Sequence, residues 1–393
     1  MKLKKKYLTI VLTLFIQIIF NLNSTALTAE LLRVDFIDVG QADSILIQLP
    51  NSKNMLIDGG NNSDGDLLVK YLMKENINKI DYLIATHPHE DHIGGLDDVV
   101  NHFEIAKVYM PKITHSSKTF RDLLIAIKHK GLKISVAKAG VTLIDKDGLL
   151  VRIIAPIKKD YKDLNNYSAI VKIDFKDTSF LFTGDAEREV EQELIVNKVD
   201  LSADLLKVGH HGSNSSTTFK FLKRVNPKYG VISVGKDNKY GHPTKYTLNK
   251  LSKADVEIYR TDQLGTIIAI SDGEKITFNH KAPSISTTKT SNNKIPLTIS
   301  KLNLKDEIVL ITNNDSEDIN ISKWKLLSLR GKQEFIFPQG TIIKAGESLK
   351  IVSGRNASKA KGQIIWTKSY IWNNNGDAAQ LYDLKGNLIA EYY

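Results

Sequence analysis

Along residues 32–278, short apolar runs are each cut off by a turn of polar, glycine or proline residues. Runs of this length and composition read as strands. They fall at 32–38, 44–49, 54–58, 82–85, 149–155, 169–175, 179–182, 204–208, 231–234, 256–259, 266–270 and 275–278, with Val108-Tyr109 a further short one. Residues 67–73, 96–103, 120–130, 187–197 and 217–224 place apolar side chains at helical spacing instead. Strands followed by helices come in two similar rounds. The pattern therefore predicts an α+β protein with two β-rich halves and helices outside them, an αββα sandwich.

The two ends of the chain break this rhythm. Lys2, Lys4, Lys5 and Lys6 precede an apolar run over 7–20 and then a polar, small-residue stretch ending at Ala29. That is the layout of a secretory signal peptide over 1–29, with cleavage after Ala26 or Ala29, and the run is shorter than the ~20 residues that span a bilayer. Residues 281–296 are rich in Ser, Thr, Lys and Asn without apolar periodicity, as expected of a solvated linker between a first domain at 30–280 and a second at 297–393. In the second domain, 308–313, 324–326, 334–338, 348–352 and 379–383 are short strands between turns, the pattern of an all-β sandwich.

Composition narrows the chemistry. With no cysteine among 393 residues, disulfides and thiolate ligands are excluded, and any metal must be held by imidazole and oxygen. A hydrophobic content of 42% is enough for real cores, and the formal charge of +10 favours encounter with polyanions such as nucleic acid or anionic cell-wall polymers.

The densest chemistry lies in Thr86-His87-Pro88-His89-Glu90-Asp91-His92-Ile93-Gly94-Gly95, directly after the run Tyr82-Leu83-Ile84-Ala85. A buried strand there delivers three imidazoles and a carboxylate to its own carboxyl end. His87 and His89, two apart, can face one ion. Asp91 and His92 open a helix, where Gly94-Gly95 lets the chain turn tightly and approach the metal.

HxHxDH after an apolar strand resembles the metallo-β-lactamase-fold hydrolases. The stretch from Val34 through Gly40-Gln41-Ala42-Asp43-Ser44, the turn Leu56-Ile57-Asp58-Gly59-Gly60, Thr183-Gly184-Asp185, Lys207-Val208-Gly209-His210-His211-Gly212-Ser213 and Tyr240-Gly241-His242-Pro243 follow in that family's order. Together they are similar to the ComEC-type branch, found in the hydrolase domain of a DNA-uptake channel. Spacing does not decide between His210 and His211. The resemblance implies metal ligands His87, His89, Asp91, His92, Asp185 and His210, with Asp58 hydrogen-bonding into the site and His211 pointing elsewhere in the cleft. It also implies that Lys207, Ser213 and His242 face substrate. Asp91 and His242 take the catalytic roles: Asp91 orients water, and His242 contacts substrate or protonates a leaving oxygen. Ser213, Ser215 or Ser216 is expected to cap the helix that follows.

One departure matters: where many members of the family supply another histidine, this chain reads Leu164-Asn165-Asn166-Tyr167-Ser168, as in the ComEC-type branch. Oxygen-rich coordination makes manganese as suitable as zinc for the two divalent ions implied. Such a pair acidifies a shared water toward neutral pH and braces attacking and leaving oxygens. The second domain, through Trp324, the Phe337-Pro338 step and Trp372-Asn373-Asn374-Asn375-Gly376-Asp377, resembles a lamin-tail domain, an immunoglobulin-like module; Trp324, Trp366 and Trp372 are expected in its core. The expected function is a secreted or cell-surface phosphodiesterase or nuclease acting on DNA or RNA, its tail reaching substrate or a cell-wall polymer. Two alternatives stand beside it: a metallo-hydrolase of a cell-wall phosphoester, lactone or lactam, and a metal-containing binding protein without turnover.

Overall fold

The computed structural model describes residues 30–281 and 297–392, apart from 314, 316, 356, 359–361 and 375. The leader at 1–29 and nearly all of the linker at 281–296 lie outside the described residues. The chain divides into two compact units, Met1–Ile285 and Ser286–Tyr393.

The first unit is built on two sheets. Its strands are β1 (Leu32–Phe36), β2 (Ile45–Gln48), β3 (Asn54–Ile57), β4 (Lys79–Ile80), β5 (Tyr82–Ile84), β6 (Glu104–Ile105), β7 (Val108–Met110), β8 (Ile134–Val136) and β9 (Val141–Lys146). They continue with β10 (Leu149–Ala155), β11 (Ile170–Phe175), β12 (Thr178–Phe182), β13 (Leu205–Lys207), β14 (Tyr229–Ile232), β15 (Glu257–Arg260), β16 (Ile267–Ser271) and β17 (Ile276–Phe278). One sheet runs β17-β16-β1-β2-β3-β5-β7-β8 and the other β15-β14-β13-β12-β11-β10-β9, while β4 and β6 pair on their own. In each sheet an antiparallel section passes into a parallel one: β3, β5, β7 and β8 are parallel, and so are β12 to β15.

Alternation along the strands decides which face each residue joins. Val34 and Phe36, Ile45 and Ile47, Met55 and Ile57 from one sheet meet Val151 and Ile153, Val171 and Ile173, Phe180 and Phe182 from the other in a single core. The Phe36 and Phe182 rings, 6.1 Å apart, bridge the two layers. Each fully buried side chain of this size contributes roughly 1.5–3 kcal/mol. The intervening residues face outward to helices. Leu46, Leu56 and Leu83 pack on the helices Gly65–Lys74, Leu96–His102 and Lys118–His129. Leu181, Leu206 and Ile232 pack on Arg188–Val196, Phe219–Val225 and Lys245–Lys253. This is the αββα sandwich expected from the pattern. The parallel strands β3, β5, β12 and β13 all end on the same edge, where crevices form in layered α/β proteins.

In the second unit, one four-stranded sheet contains Leu297–Asn303, Ile308–Asn313, Ser348–Val352 and Gln363–Ile365. The other contains Glu334–Ile336, Lys325–Ser328, Ala379–Tyr382 and Leu388–Tyr392. Val309, Ile311, Leu326, Ile351 and Leu381 share one core with Trp324, Phe337 and Trp372, and Trp366 packs against it. No helix among the described residues is long and apolar enough to cross a membrane.

Candidate metal centre

Asp58 closes β3 in the left-handed conformation (φ 60°), which turns its carboxylate back under the next strand. There it accepts from Thr86 N at 2.8 Å and Thr86 Oγ1 at 2.7 Å, both at the end of β5. It also accepts from His92 Nδ1 at 2.8 Å. That bond orients the His92 ring, so Nε2 points into the cleft. His92 gets there because the short helix Glu90–Ile93 lies hard against the loop after β3. A Cβ on Gly94 would sit 2.1 Å from Asn61 C and Asn62 N. The glycine thus serves the approach of helix to loop, not an approach of backbone to metal.

Four side chains converge beyond this point: Asp91, His92, Asp185 and His211 offer ligand atoms that all lie within 4.8 Å of one another. His92 Nε2 is 3.3 Å from Asp185 Oδ1, and His211 Nε2 is 3.4 Å from Asp91 Oδ2 and 3.7 Å from Asp185 Oδ2. Asp185 arrives on the Thr183-Gly184-Asp185 turn after β12, with its backbone N–H donating to Ser168 Oγ at 3.1 Å. Beside this quartet, His87 Nε2 and His89 Nδ1 face each other at 3.0 Å. His87 Nδ1 is backed by Thr86 Oγ1 at 3.0 Å and Ser168 Oγ at 3.3 Å.

His210 and His211 both adopt left-handed backbone (φ 51° each), so neighbours in sequence diverge. His211 is buried, and its Nδ1 donates to Ser233 O at 2.9 Å, which directs Nε2 inward. His210 is part-exposed, with Nε2 3.6 Å from Asp185 Oδ2 and Nδ1 near Glu187, Ser215 and Asn165. The expectation that His211 points elsewhere in the cleft is therefore corrected: His211 completes the quartet, and His210 flanks it.

Lys207 also differs from its expected place. It points into the sandwich with no exposed surface, and Nζ pairs with the buried Asp43 Oδ2 at 2.7 Å and donates to Val208 O at 3.2 Å. A side chain so enclosed cannot meet substrate. Asp43 lies 3.4 Å from His211 Nδ1, so the buried ion pair stands directly behind that imidazole. Ser213 Oγ is engaged with Ser215 Oγ at 3.0 Å, and Ser216 Oγ donates to Ala186 O at 2.8 Å. The cap of the helix Phe219–Val225 is Thr218, which accepts from Phe221 N, and none of the three serines. His242 does stand at the rim, its ring 5.8 Å from that of His210.

The charges explain how the pocket is poised. Burial alone would lower the His211 and His92 pKa values, but Asp185 with Asp43 raises His211 to about 10, and Asp185 with Asp58 carries His92 well above the usual range. Burial would raise the Asp43 carboxyl, yet Lys207 and His211 hold it at about 2. Asp185 and Asp91 are likewise lowered against burial, chiefly by His92. His87, enclosed and facing His92, is pushed down. The carboxylates thus generate a negative potential that favours positive charge in the pocket.

A divalent ion fits this potential and the donor set. His92 Nε2, Asp185 Oδ1 and His211 Nε2 are buried and lack hydrogen-bond partners, a costly state for protein atoms that have no further use. Nitrogen and oxygen donors without thiolate suit zinc or manganese. In the segment that lacks a histidine, the buried Asn165 leaves its Oδ1 without a hydrogen-bond partner.

Asp43, Thr86, Ser168 and Ser233 were not singled out as site residues from sequence. For Asp43 a signal existed, because a lysine inside the apolar run 204–208 requires a buried carboxylate somewhere.

A two-sheet αββα sandwich with histidines and aspartates gathered at the strand ends defines a metal-dependent hydrolase of the metallo-β-lactamase fold. The chain belongs to the Metallo-beta-lactamase superfamily, whose family model matches residues 37–236, and residues 288–393 match the Lamin Tail Domain. ComE operon protein 3 of Bacillus subtilis (strain 168) is 35% identical over 251 residues, covering 60% of this chain and 32% of that protein. Recombination protein 2 of Haemophilus influenzae is 28% identical, over 60% of this chain and 28% of its own length. Competence protein ComA of Neisseria gonorrhoeae is 27% identical, over 58% and 31%. The chain is thus similar to ComEC-type competence proteins while spanning about a third of the length of each of these relatives.

Proposed function

We propose that this protein is an exported, metal-dependent phosphodiesterase that cleaves DNA or RNA. The observation that carries the hydrolase part is the set of buried atoms without hydrogen-bond partners on His92, Asp185 and His211, with Asp91 beside them. Divalent ions held there supply Lewis acidity that makes water nucleophilic near neutral pH and steadies negative charge on a phosphoryl group. Asp58 and Ser233 hold the His92 and His211 rings by their Nδ1 atoms, and Asp91, held ionised, orients water. His242, pushed down to about 4 by burial and by His210 and His211, is neutral at pH 7. Its role at the rim is to contact substrate, by a hydrogen bond or by protonating a leaving oxygen.

Support for a nucleic-acid substrate comes from the names of the relatives, competence and recombination being processes of DNA, and from a formal charge of +10, four of whose lysines lie in the leader. Support for export comes from the lysine-led apolar leader over 1–29. The lamin-tail unit is assigned a tethering role, toward substrate or a cell-wall polymer.

Purified full-length protein loaded with manganese or zinc is expected to cut single- or double-stranded DNA or RNA, and Asp91→Ala to be inactive with the same fold. Intact nucleic acids alongside hydrolysis of a cell-wall phosphoester, lactone or lactam would move the protein to that substrate class. Bound metal without turnover on any ester would make it a binding protein.

A further inference from the structure

The loop after β14 carries an aromatic ring that the catalytic scheme does not use. Tyr240 is 59% exposed, which is unusual for a large ring beside a buried site. Its phenol lies nearly parallel to the His242 imidazole, at 23° and 5.9 Å between centroids. His242 is in turn 5.8 Å from His210, and His210 Nε2 is 3.6 Å from Asp185. Rings thus lead stepwise from the metal pocket to solvent. At ~3.4 Å per rise along a stacked strand, the phenol sits within a few nucleotides of the pocket.

The loop is held in place for such a task. Asn238 Oδ1 accepts from the backbone of Tyr240 at 3.2 Å and of His242 at 3.0 Å, while its Nδ2 donates to Gly235 O and His242 O. On its far side Thr244 N donates to Gly212 O at 3.0 Å. A Cβ on Gly212 would come within 2.5 Å of Pro243, so the loop seats directly on the His210-His211-Gly212 turn. Lys239 Nζ, 5.2 Å from the centre of the phenol ring, adds a mobile cation at the same spot.

Resting on the hydrolase reading above, we propose that Tyr240 is a stacking platform for a nucleobase next to the scissile phosphodiester, which makes single-stranded nucleic acid the preferred substrate class. Bases in a duplex keep their faces covered, whereas those of a single strand are free to stack, and a π-face is common to every base. Recognition of this kind is tolerant of sequence, with Lys239 available for the adjoining phosphate.

The test compares wild type, Tyr240→Ala and Tyr240→Trp, metal-loaded and full-length, on oligo-dT and on the same oligomer with abasic sites. Tyr240→Ala should raise KM for oligo-dT roughly tenfold with little change in kcat, and Tyr240→Trp should restore it. The preference for oligo-dT over the abasic oligomer should fall by the same factor. Equal KM values for wild type and Tyr240→Ala, or an equal loss on the abasic oligomer, would overturn the platform while leaving the hydrolase assignment standing. Should wild type cleave neither oligomer, fluorescence anisotropy of the same pair decides. Base-dependent binding lost in Tyr240→Ala keeps the platform without the nuclease, and no base-dependent binding removes both.

Discussion

The two units of this chain both bury carboxylates, and Asp185 of the first is treated unlike Glu307 and Asp377 of the second. In the second unit, Glu307 accepts from Ile371 N at 2.8 Å, Trp372 N at 3.0 Å and Ser353 Oγ. Asp377 there accepts from Ser328 Oγ, Arg330 N and Asn373 N. Both acids are spent on the backbone of their own sandwich. In the first unit, Asp185 keeps Oδ1 without a hydrogen-bond partner, and so do the facing nitrogens of His92 and His211. Among the described residues, every buried side-chain atom lacking a hydrogen-bond partner lies in the first unit. Buried polar groups are normally satisfied, so the contrast between Glu307 and Asp185 sets charge that holds a fold against charge available to a ligand.

The sharpest way to break this contrast is to remove a carboxylate from each side. Asp185→Asn should lower kcat/KM on the order of a thousandfold or more, with the thermal midpoint of the metal-free protein unchanged or raised. A variant that stays active, or one that unfolds, would show Asp185 to be structural. Glu307→Ala should do the reverse: it strands two buried amides and should cost about 3 kcal/mol in the denaturant unfolding of the second unit, with turnover unchanged at permissive temperature. An unaltered midpoint would show that Glu307 does not hold that sandwich. A smaller effect sharpens the comparison within the first unit. Asn tolerates the left-handed backbone at position 58, so Asp58→Asn should leave the fold intact and weaken metal affinity some 10- to 100-fold in chelator competition, because His92 loses its anionic partner. Unchanged affinity would mean that Thr86 alone requires this acid.

Much of the fold was legible because alternation and helical spacing record which face of each element is buried. β1, β2, β10, β11 and β12 all read correctly on that basis, within a residue or two at their ends. β8 and β9 were not, since Ile134, Ser135 and Val136 are all exposed and alternation carries no signal at such an edge. In the site, the strand-end positions of His87, His89, His92 and Asp185 followed from apolar runs that stop at polar turns. His210 and His211 could not be told apart, because two successive left-handed residues send neighbouring side chains in directions that no periodicity encodes. Lys207 was misplaced for a related reason. Its partner Asp43 lies in the loop between β1 and β2 of the other sheet, and a contact between layers is invisible to local pattern. The helix cap was assigned too early, because Ser213, Ser215 and Ser216 are small hydroxyl residues used to tie down the loop before Thr218 caps the helix.

The central claim is that the atoms on His92, Asp185 and His211 that lack hydrogen-bond partners exist to hold a divalent ion. Anomalous diffraction from crystals grown with manganese tests it directly. A peak is predicted in contact with His92 Nε2, Asp185 and His211 Nε2, with Asp91 in reach. Crystals in which manganese binds elsewhere, or leaves that pocket without a peak at saturating metal, would contradict it.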